Sequence, residues 1–246
     1  MLEFGLRYEW NMTPSERYDR FIVFDPKTAS LVRVGTDIDN IYHENNKNFQ
    51  PRVGFAWTPF QNGKTVLRGG YGIYVDQPMT SIVTATSGNP PLAIPLTFTG
   101  AVRLDNAINV ARPAGLAPQS IDRDFENAYL QSWNLNAQHD FSKFVLMIGY
   151  IGSKGTNLIT RRNINQPVNG LRPYASLSSS SPILPGTPLG NVTQVEGSGN
   201  SSYNAVWVTA TRRLMNNLQL RCFVHLVQVA RLQFIQQRRN CDPEQL

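Results

Sequence analysis

The chain has 246 residues, of which 41% are hydrophobic and only 16% charged, with 18 glycines and 16 prolines. This composition is too apolar for a disordered chain and too rich in turn-forming residues for a helical one, so it favours an all-β protein. Four of the arginines behind the net charge of +6 lie beyond Leu220 (Arg221, Arg231, Arg238 and Arg239), and the remaining charges are scattered, so no nucleic-acid partner is expected.

The sequence contains no sign of a membrane helix, an export signal or a disulfide framework. The chain has no apolar run of the ~18 residues that a transmembrane helix requires. Met1 leads directly into an alternating segment, so the export signal of a surface protein is expected to lie upstream of this sequence. Both cysteines, Cys222 and Cys241, lie in the C-terminal stretch, so no disulfide framework and no thiolate metal site is expected before Leu220.

The first predicted strand is Leu2–Trp10, LEFGLRYEW, in which large apolar side chains alternate with Glu, Gly and Arg. This period of two is typical of a strand with two different faces. A polar stretch of about forty residues follows, with a short hairpin predicted around Phe21–Phe24 and Leu31–Val34.

A second pair of strands is predicted at Arg52–Thr58 and Thr65–Val75. The connection between them contains Asn62-Gly63, a strong hairpin signal because both residues tolerate positive φ. A long loop rich in Pro, Gly and Thr then extends to about Ala128.

The same pattern repeats in the second half of the chain. Strands are predicted at Leu130–His139 and Phe144–Gly152, joined by a tight turn, and a long loop with the run Ser178–Ser181 then reaches Ser202. The last predicted hairpin comprises Tyr203–Arg213, a turn at Met215-Asn216-Asn217, and a strand that begins at Leu218.

The lengths of the connections indicate the class of β protein. Short turns alternate with loops of about forty to fifty residues, and aromatic residues such as Trp57, Trp133 and Tyr150 lie near strand ends. Transmembrane barrels have short periplasmic turns, long extracellular loops and aromatic girdles. The predicted fold is therefore about seven antiparallel up-and-down strands of a large, incomplete transmembrane β-barrel; a soluble β-sandwich, which also alternates, is the other fold that the periodicity allows.

Several segments resemble TonB-dependent outer-membrane receptors of the Oar-like kind, which carry a carboxypeptidase-regulatory-like domain. The likeness covers most of residues 2–220, and its motifs are specific in combination. They are Gly5–Trp10 (GLRYEW), Asn48–Trp57 continued by Gly63–Tyr74, Gln131–Asn136, Gly149–Gly155, Arg162–Pro167 and Tyr203-Asn204-Ala205. The resemblance implies a barrel of about 22 strands with an N-terminal plug, located in the outer membrane of a Gram-negative bacterium and driven by the TonB complex.

The sequence departs from that plan in three respects, one of which is that about seven strands are too few to close a wide barrel. The plug and most strands are absent, so contact with the TonB complex is expected only through the plug region of a longer parent protein. After Leu220 the alternation of apolar and polar residues stops. Codons can be chosen for Arg221–Arg231 such that the next reading frame encodes Ala-Ala-Ser-Tyr-Thr-Trp-Ser-Lys-Ser-Leu-Asp. That peptide is an aromatic strand of the kind that the resemblance leads us to expect at this position. We therefore expect residues 1–220 to be a partial receptor barrel and residues 221–246 to be an out-of-frame tail.

The polar faces of the predicted strands supply the candidate site residues. If the apolar faces contact outer-membrane lipid, the opposite faces point into a lumen, where they contact water, the plug or a passing ligand. The lumen-facing candidates are Glu3, Arg7, Glu9, Arg52, Arg68, Asn134, Asn136 and Gln138.

Signals for catalysis, cofactors and metals are weak. There is no G-x-S-x-G elbow, His43, His139 and His225 are scattered, and the glycines of Arg68–Gly72 lie inside a strand rather than in a phosphate loop. No catalytic residue, cofactor or metal ligand is predicted. The expected function is uptake of a bulky ligand that binds the extracellular loops, with this piece not transport-competent alone; a secreted or surface β-sandwich that binds or adheres through its loops is the alternative.

Overall fold

A computed structural model of the protein describes residues 1–78, 80–94, 96–97, 112–113, 115–213 and 219–234. The predicted turn at Met215-Asn216-Asn217 and the end of the tail after Phe234 lie outside these residues. Twelve strands are described: β1 Leu2–Tyr8, β2 Ile22–Asp25, β3 Ser30–Arg33, β4 Phe49–Trp57, β5 Thr65–Val75, β6 Leu96–Thr97, β7 Arg112–Pro113, β8 Gln119–Ile121, β9 Tyr129–Asp140, β10 Val145–Asn163, β11 Thr193–Arg213 and β12 Gln219–Phe234. A single turn of α-helix, α1 (Ser81–Thr84), continues into a 3₁₀ turn at Ala85–Gly88.

Seven of these strands form one antiparallel sheet in the order β1-β4-β5-β9-β10-β11-β12, with β8 added in parallel to β11. Along this path each strand pairs with the next long strand of the chain, so the sheet is an up-and-down meander with β1 and β12 at its edges. The predicted all-β fold with about seven up-and-down strands is confirmed. Within the described residues, no helix is both long and apolar enough to cross a membrane.

The pairing register gives the sheet two different faces. Directly paired residues of antiparallel strands share a face, and successive residues alternate between faces. For example, Leu2 of β1 pairs with Phe55 of β4, and Val53 of β4 pairs with Tyr71 of β5. The same pairing of apolar residues continues from strand to strand as far as β12. The resulting apolar face carries Leu2, Phe4, Leu6, Phe49, Val53, Phe55, Trp57, Leu67, Tyr71, Ile73, Trp133, Leu135, Ala137, Leu146, Ile148, Tyr150, Val206, Val208, Val224 and Leu226.

Most of the apolar face is exposed. Phe4 is 75% exposed and Leu135 is 51% exposed, although Leu135 lies near the middle of the sheet. An exposed apolar surface that extends over seven strands far exceeds the patches of soluble monomers, and it is stable when it contacts lipid.

Two glycines at paired positions let aromatic rings lie flat across the sheet. Gly152 pairs with Trp133, and Gly149 pairs with Trp207. A Cβ built on Gly152 would lie 2.7 Å from Cζ2 of Trp133 and nearer still to Nε1 and Cε2. The tryptophan ring therefore occupies the space that any other side chain at residue 152 would need.

The structure differs from the prediction in the lengths of the later strands. β10 continues to Asn163, well past the predicted end at Gly152, and β11 begins at Thr193 rather than Tyr203. Beyond Thr156, the last residue of β10 that pairs with β9, Leu158–Asn163 pairs with Thr193–Gly199 of β11 after a register irregularity between Gly155 and Leu158. We call this extension the ribbon; β8 pairs with its β11 strand at Thr193–Val195. The polar side chains of the ribbon do not alternate with apolar ones, so periodicity did not find it.

The backbone also continues as a strand where the alternation of the sequence stops. β12 pairs with β11 from Gln219 to Phe234, so strand pairing extends past Leu220. That residues 221–246 are read out of frame stays a prediction, because strand pairing does not depend on the reading frame that encodes the side chains.

Candidate functional site: a lobe of long connections above a two-faced sheet

The described parts of the three long connections of the chain lie at one end of the sheet. Residues 9–48 follow β1, residues 76–128 follow β5 and residues 164–192 follow β10, and these three strands run in the same direction. The short connections at residues 58–64 and 141–144 follow β4 and β9, which run in the opposite direction, so they lie at the other end. The predicted alternation of short turns and long loops is therefore present, and we call the described part of the long connections, with the ribbon, the lobe.

The lobe contains the buried hydrophobic core of the described chain. The hairpin β2–β3 lies at its centre with both faces covered, since Ile22 and Phe24 are 1% exposed and Val23 is 2% exposed. One cluster lies on each side of the hairpin. The first comprises Val23, Val32, Val34, Ile41, Tyr42, Ile82, Val83, Ile121, Phe125 and Val195. The second comprises Ile22, Phe24, Leu31, Leu116, Leu177, Leu189 and Val192.

Buried polar side chains join the first two connections. The amide of Asn89, fully buried, donates to the carbonyl oxygen of Ile22 at 2.6 Å and to that of Gln119 at 3.0 Å, and its Oδ1 accepts from the backbone N–H of Gln119 at 2.7 Å. The hydroxyl of Ser120 donates to the carbonyl oxygen of Phe24 at 2.7 Å. These bonds satisfy backbone groups that would otherwise be buried without a partner.

The third connection joins the lobe in the same way. The backbone N–H of Leu31 donates to the hydroxyl of Ser181 at 3.2 Å, across 150 residues of sequence. Asn165, also fully buried, donates to the carbonyl oxygens of Tyr174 and Gly190 at 2.8 and 2.7 Å. Because all three connections share cores and hydrogen bonds, the lobe is one packed unit and not three independent loops.

An ion pair at the ribbon and one at the lobe surface add local order. On the ribbon, Arg162 donates to both carboxylate oxygens of Glu196, at 3.1 and 2.9 Å. At the surface, Glu16 accepts from the guanidinium of Arg20 at 2.6 Å and from the backbone N–H groups of Tyr18 and Arg20. The bonds from Arg20 and these backbone groups lower the pKa of Glu16 to about 2.

Sequence reasoning found part of the lobe. The short hairpin predicted around Phe21–Phe24 and Leu31–Val34 is present as β2 and β3. The rest was predicted only as loop. The signal that could have indicated a core was the set of adjacent apolar pairs inside polar segments, Ile41-Tyr42 and Ile82-Val83, which are all buried.

The structure places the predicted lumen-facing residues on one face of the sheet, opposite the apolar face, which we call the polar face. The register gives this position to Glu3, Arg7, Arg52, Arg68, Asn134, Asn136 and Gln138. Glu9 follows β1 in the same alternation, and its carboxylate pairs with Arg7. That this face lines a lumen stays a prediction.

Contacts across the polar face link several of these residues. The guanidinium of Arg68 donates to Gln138 at 3.2 Å, and Asn136 donates to Asn134 at 3.3 Å. The guanidinium carbon of Arg52 lies 4.6 Å from the centre of the Tyr74 ring, a cation–π contact. The arrangement offers charged and amide groups to water or to a polar ligand. Within the described residues, no group of three or more His, Cys, Asp or Glu is placed to hold a metal ion.

Comparison with known proteins identifies a family for the chain. A family model described as an outer membrane beta barrel domain matches residues 1–223. The comparison with curated proteins gives no match.

Solved structures similar to the chain include two transporters and a receptor from bacteria. They are the outer membrane transporter YddB from Escherichia coli (TM-score 0.47, 8% identity, 78% of this chain and 21% of that chain), the siderophore receptor PirA from Pseudomonas aeruginosa (0.41, 10%, 79% and 29%) and the FrpB iron transporter from Neisseria meningitidis, F5-1 variant (0.45, 12%, 95% and 24%). The chain thus spans less than a third of the length of each of these structures.

Proposed function

The chain belongs to the family of outer membrane beta barrel domains, and from this premise we propose that it is the wall segment and ligand-binding lobe of a TonB-dependent transporter that takes up a bulky ligand. The protein lies in the outer membrane of a Gram-negative bacterium. The transported ligand, the coupling to the TonB complex and the Oar-like subfamily are parts of the proposal.

One observation carries it: the three long connections fold together into a lobe at one end of a sheet with an apolar and a polar face. Short turns lie at the periplasmic end of outer-membrane barrels and long loops at the extracellular end, so the lobe lies outside the cell. A surface with its own hydrophobic core holds its shape before a ligand arrives, which lowers the entropy cost of binding.

The polar face supports a passage for a hydrated ligand. With the apolar face against lipid, Arg7, Arg52 and Arg68 point to the barrel interior together with the amides of β9. Groups of this kind keep a barrel interior wet and contact a plug or a passing ligand. In a TonB-dependent parent protein, the TonB complex acts through the plug region, outside this segment.

The open sheet supports a role as part of a wider barrel. β1 and β12 leave their outer N–H and C=O groups unpaired in the described chain, and such groups are costly in a bilayer. Seven strands also form too short an arc to close around a wide lumen. The segment is therefore not transport-competent by itself, and it has no catalytic role in this proposal.

The proposed uptake is tested in the source bacterium, with the gene intact or deleted. Depletion of compounds from the growth medium is followed by mass spectrometry, with and without a protonophore. We expect at least one compound whose depletion requires both the gene and the proton-motive force. Depletion that depends on the gene but continues in the presence of the protonophore would contradict coupling to TonB.

The soluble β-sandwich module is not favoured by the structure. A sandwich buries the apolar face of one sheet against a second sheet. Here the described residues of the apolar face are largely exposed, and the two-stranded sheets β2–β3 and β6–β7 do not cover them.

A further inference from the structure

The ribbon has a strand edge that no neighbouring strand of the described chain covers. β9 begins at Tyr129, which pairs with Thr156, so Leu158–Asn163 of β10 extends past the end of β9. The chain before β9 does not continue along this edge. Instead, the backbone N–H of Asp122 donates to the carbonyl oxygen of Val195 at 2.9 Å, on the β8 side of the ribbon. The outer side of β10 is therefore open along the ribbon within the described residues.

The hydrogen bonds of β11 determine which backbone groups of the open edge point outward. Val195 directs its carbonyl oxygen toward β8, and Thr193, two residues earlier, directs its N–H the same way. Bonded and non-bonded pairs alternate between antiparallel strands, so their partners Arg161 and Asn163 direct their own backbone groups away from β11. The same alternation gives this orientation to Ile159. Among the described residues, the backbone N–H and C=O groups of these three residues of β10 have no hydrogen-bond partner.

The open edge also carries a positive charge. The side chain of Arg161 is exposed and forms no ion pair in the part of the chain that the structure describes. The neighbouring Arg162 differs, because it already donates to both carboxylate oxygens of Glu196. Ile159 lies on the same face of β10 as Arg161 and packs, partly buried, against the first cluster of the lobe. A ligand at this edge therefore contacts open backbone groups, one cation and one apolar side chain.

We propose that the open edge of the ribbon binds an extended peptide by strand addition, with an acidic side chain of the peptide beside Arg161. A peptide backbone presents N–H and C=O groups at the spacing of the edge, which lipids and sugars do not. A second copy of the chain fits less well, since antiparallel pairing of the edge with its copy about Arg161 sets two like charges opposite each other. The proposal rests on the proposed function, in which the lobe binds the ligand, and it names a peptide as the class of that ligand.

The test uses the whole protein, purified in detergent from the outer membrane in which it is made, and the probe Val-Thr-Glu-Thr-Val with both ends capped. The probe sequence is the same in both directions, so it suits parallel and antiparallel addition. Saturation-transfer NMR compares its affinity with that of two N-methylated forms, one methylated at Val and Glu and the other at Thr. Because alternate N–H groups of an added strand point to the edge, we expect only one form to lose affinity, by at least about tenfold. Equal losses in both forms, or no binding of the unmethylated probe, would overturn the proposal.

Variants of Arg161 separate the backbone bonds from the charge. Arg161→Pro removes an outward N–H and obstructs an added strand, while the bonds between β10 and β11 stay in place, so the probe should lose at least about tenfold in affinity. Arg161→Gln keeps the edge and should lose about three- to fivefold, the effect of one exposed ion pair. Unchanged affinity in Arg161→Pro would overturn the proposal.

The matched control for charge is Arg17→Gln. Arg17 is also an exposed arginine of the lobe, and it forms no ion pair with any described residue. Its substitution should leave the affinity unchanged, and a loss equal to that of Arg161→Gln would mean that only net charge matters and would overturn the proposal. Hydrogen exchange of β2 amides verifies that the lobe is folded in each variant.

Peptide binding and uptake can fail separately. Binding of the probe to the purified protein requires neither the TonB complex nor a proton-motive force. If the probe does not bind, but the source bacterium depletes a non-peptide compound in a manner that requires the gene and the proton-motive force, the peptide proposal is wrong and the proposed uptake stands.

Discussion

The close contact between Gly152 and Trp133 makes a quantitative prediction about the stability of the sheet. A Cβ on residue 152 would lie 2.7 Å from Cζ2 of Trp133, about 1 Å inside an ordinary carbon–carbon contact. Gly152→Ala must therefore displace the indole ring, at a cost of about 1–3 kcal/mol. Replacing a strand glycine by alanine otherwise favours the folded state by about 0.5–1 kcal/mol. We expect a net destabilisation of about 1–2 kcal/mol.

The assay is urea unfolding of the protein in lipid vesicles, followed by intrinsic fluorescence. In a Trp133→Ala background, Gly152→Ala should be neutral or slightly stabilising, so the double-mutant cycle should give a coupling of at least about 1 kcal/mol. Gly54→Ala is the matched control, because the nearest atom to its added Cβ is the carbonyl oxygen of Gly69 at 3.8 Å. Equal destabilisation by Gly152→Ala with and without the tryptophan would refute the reasoning.

Three further predictions concern the lobe and the tail. Asn89→Ala removes three buried hydrogen bonds and should cost the lobe about 2–4 kcal/mol, measured by hydrogen exchange of β2 amides. The pKa of Glu16 is lowered from 4.5 to about 2, so its contribution to local stability is complete above pH 4.5 and is lost as the pH falls toward 2. The rate of protease cleavage at residues 14–20 should therefore differ between the wild type and Glu16→Gln at pH 6. The two rates should converge near pH 2. Resequencing the locus should show barrel strands that resume in another frame after Leu220, and an uninterrupted single frame would contradict the out-of-frame tail.

The strands of the sheet were the most predictable part of the molecule. β5 was predicted at Thr65–Val75 and lies there, because its alternation is regular and Asn62-Gly63 marks the turn before it. Gly63 has a φ of +66°, in the left-handed region that glycine tolerates, whereas Asn62 is not among the residues with positive φ. Alternation also assigned the predicted polar residues to one face, since a period of two determines the face once a strand is recognised.

The lobe was less predictable because its order comes from contacts that are distant in sequence. The side chain of Asn89 bonds to Ile22 and Gln119, and Leu31 bonds to Ser181; none of these partners is indicated by local pattern. The same holds for neighbours on the polar face. The contact of Arg52 with Tyr74 depends on the register of β4 and β5, which alternation alone does not determine.

The orientation of the sheet in the membrane is the central claim, and neighbouring residues of β9 test it most directly. Nitroxide labels are placed at Leu135→Cys or Asn134→Cys after both native cysteines are replaced by serine, and their collision rates with oxygen and with a water-soluble nickel complex are measured in vesicles. The account predicts that the label at residue 135 is relaxed mainly by oxygen, which concentrates in lipid, and the label at residue 134 mainly by the nickel complex. Equal accessibility of the two positions to the nickel complex, or the reverse order, would contradict a wall with lipid on its apolar face and a wet lumen on its polar face.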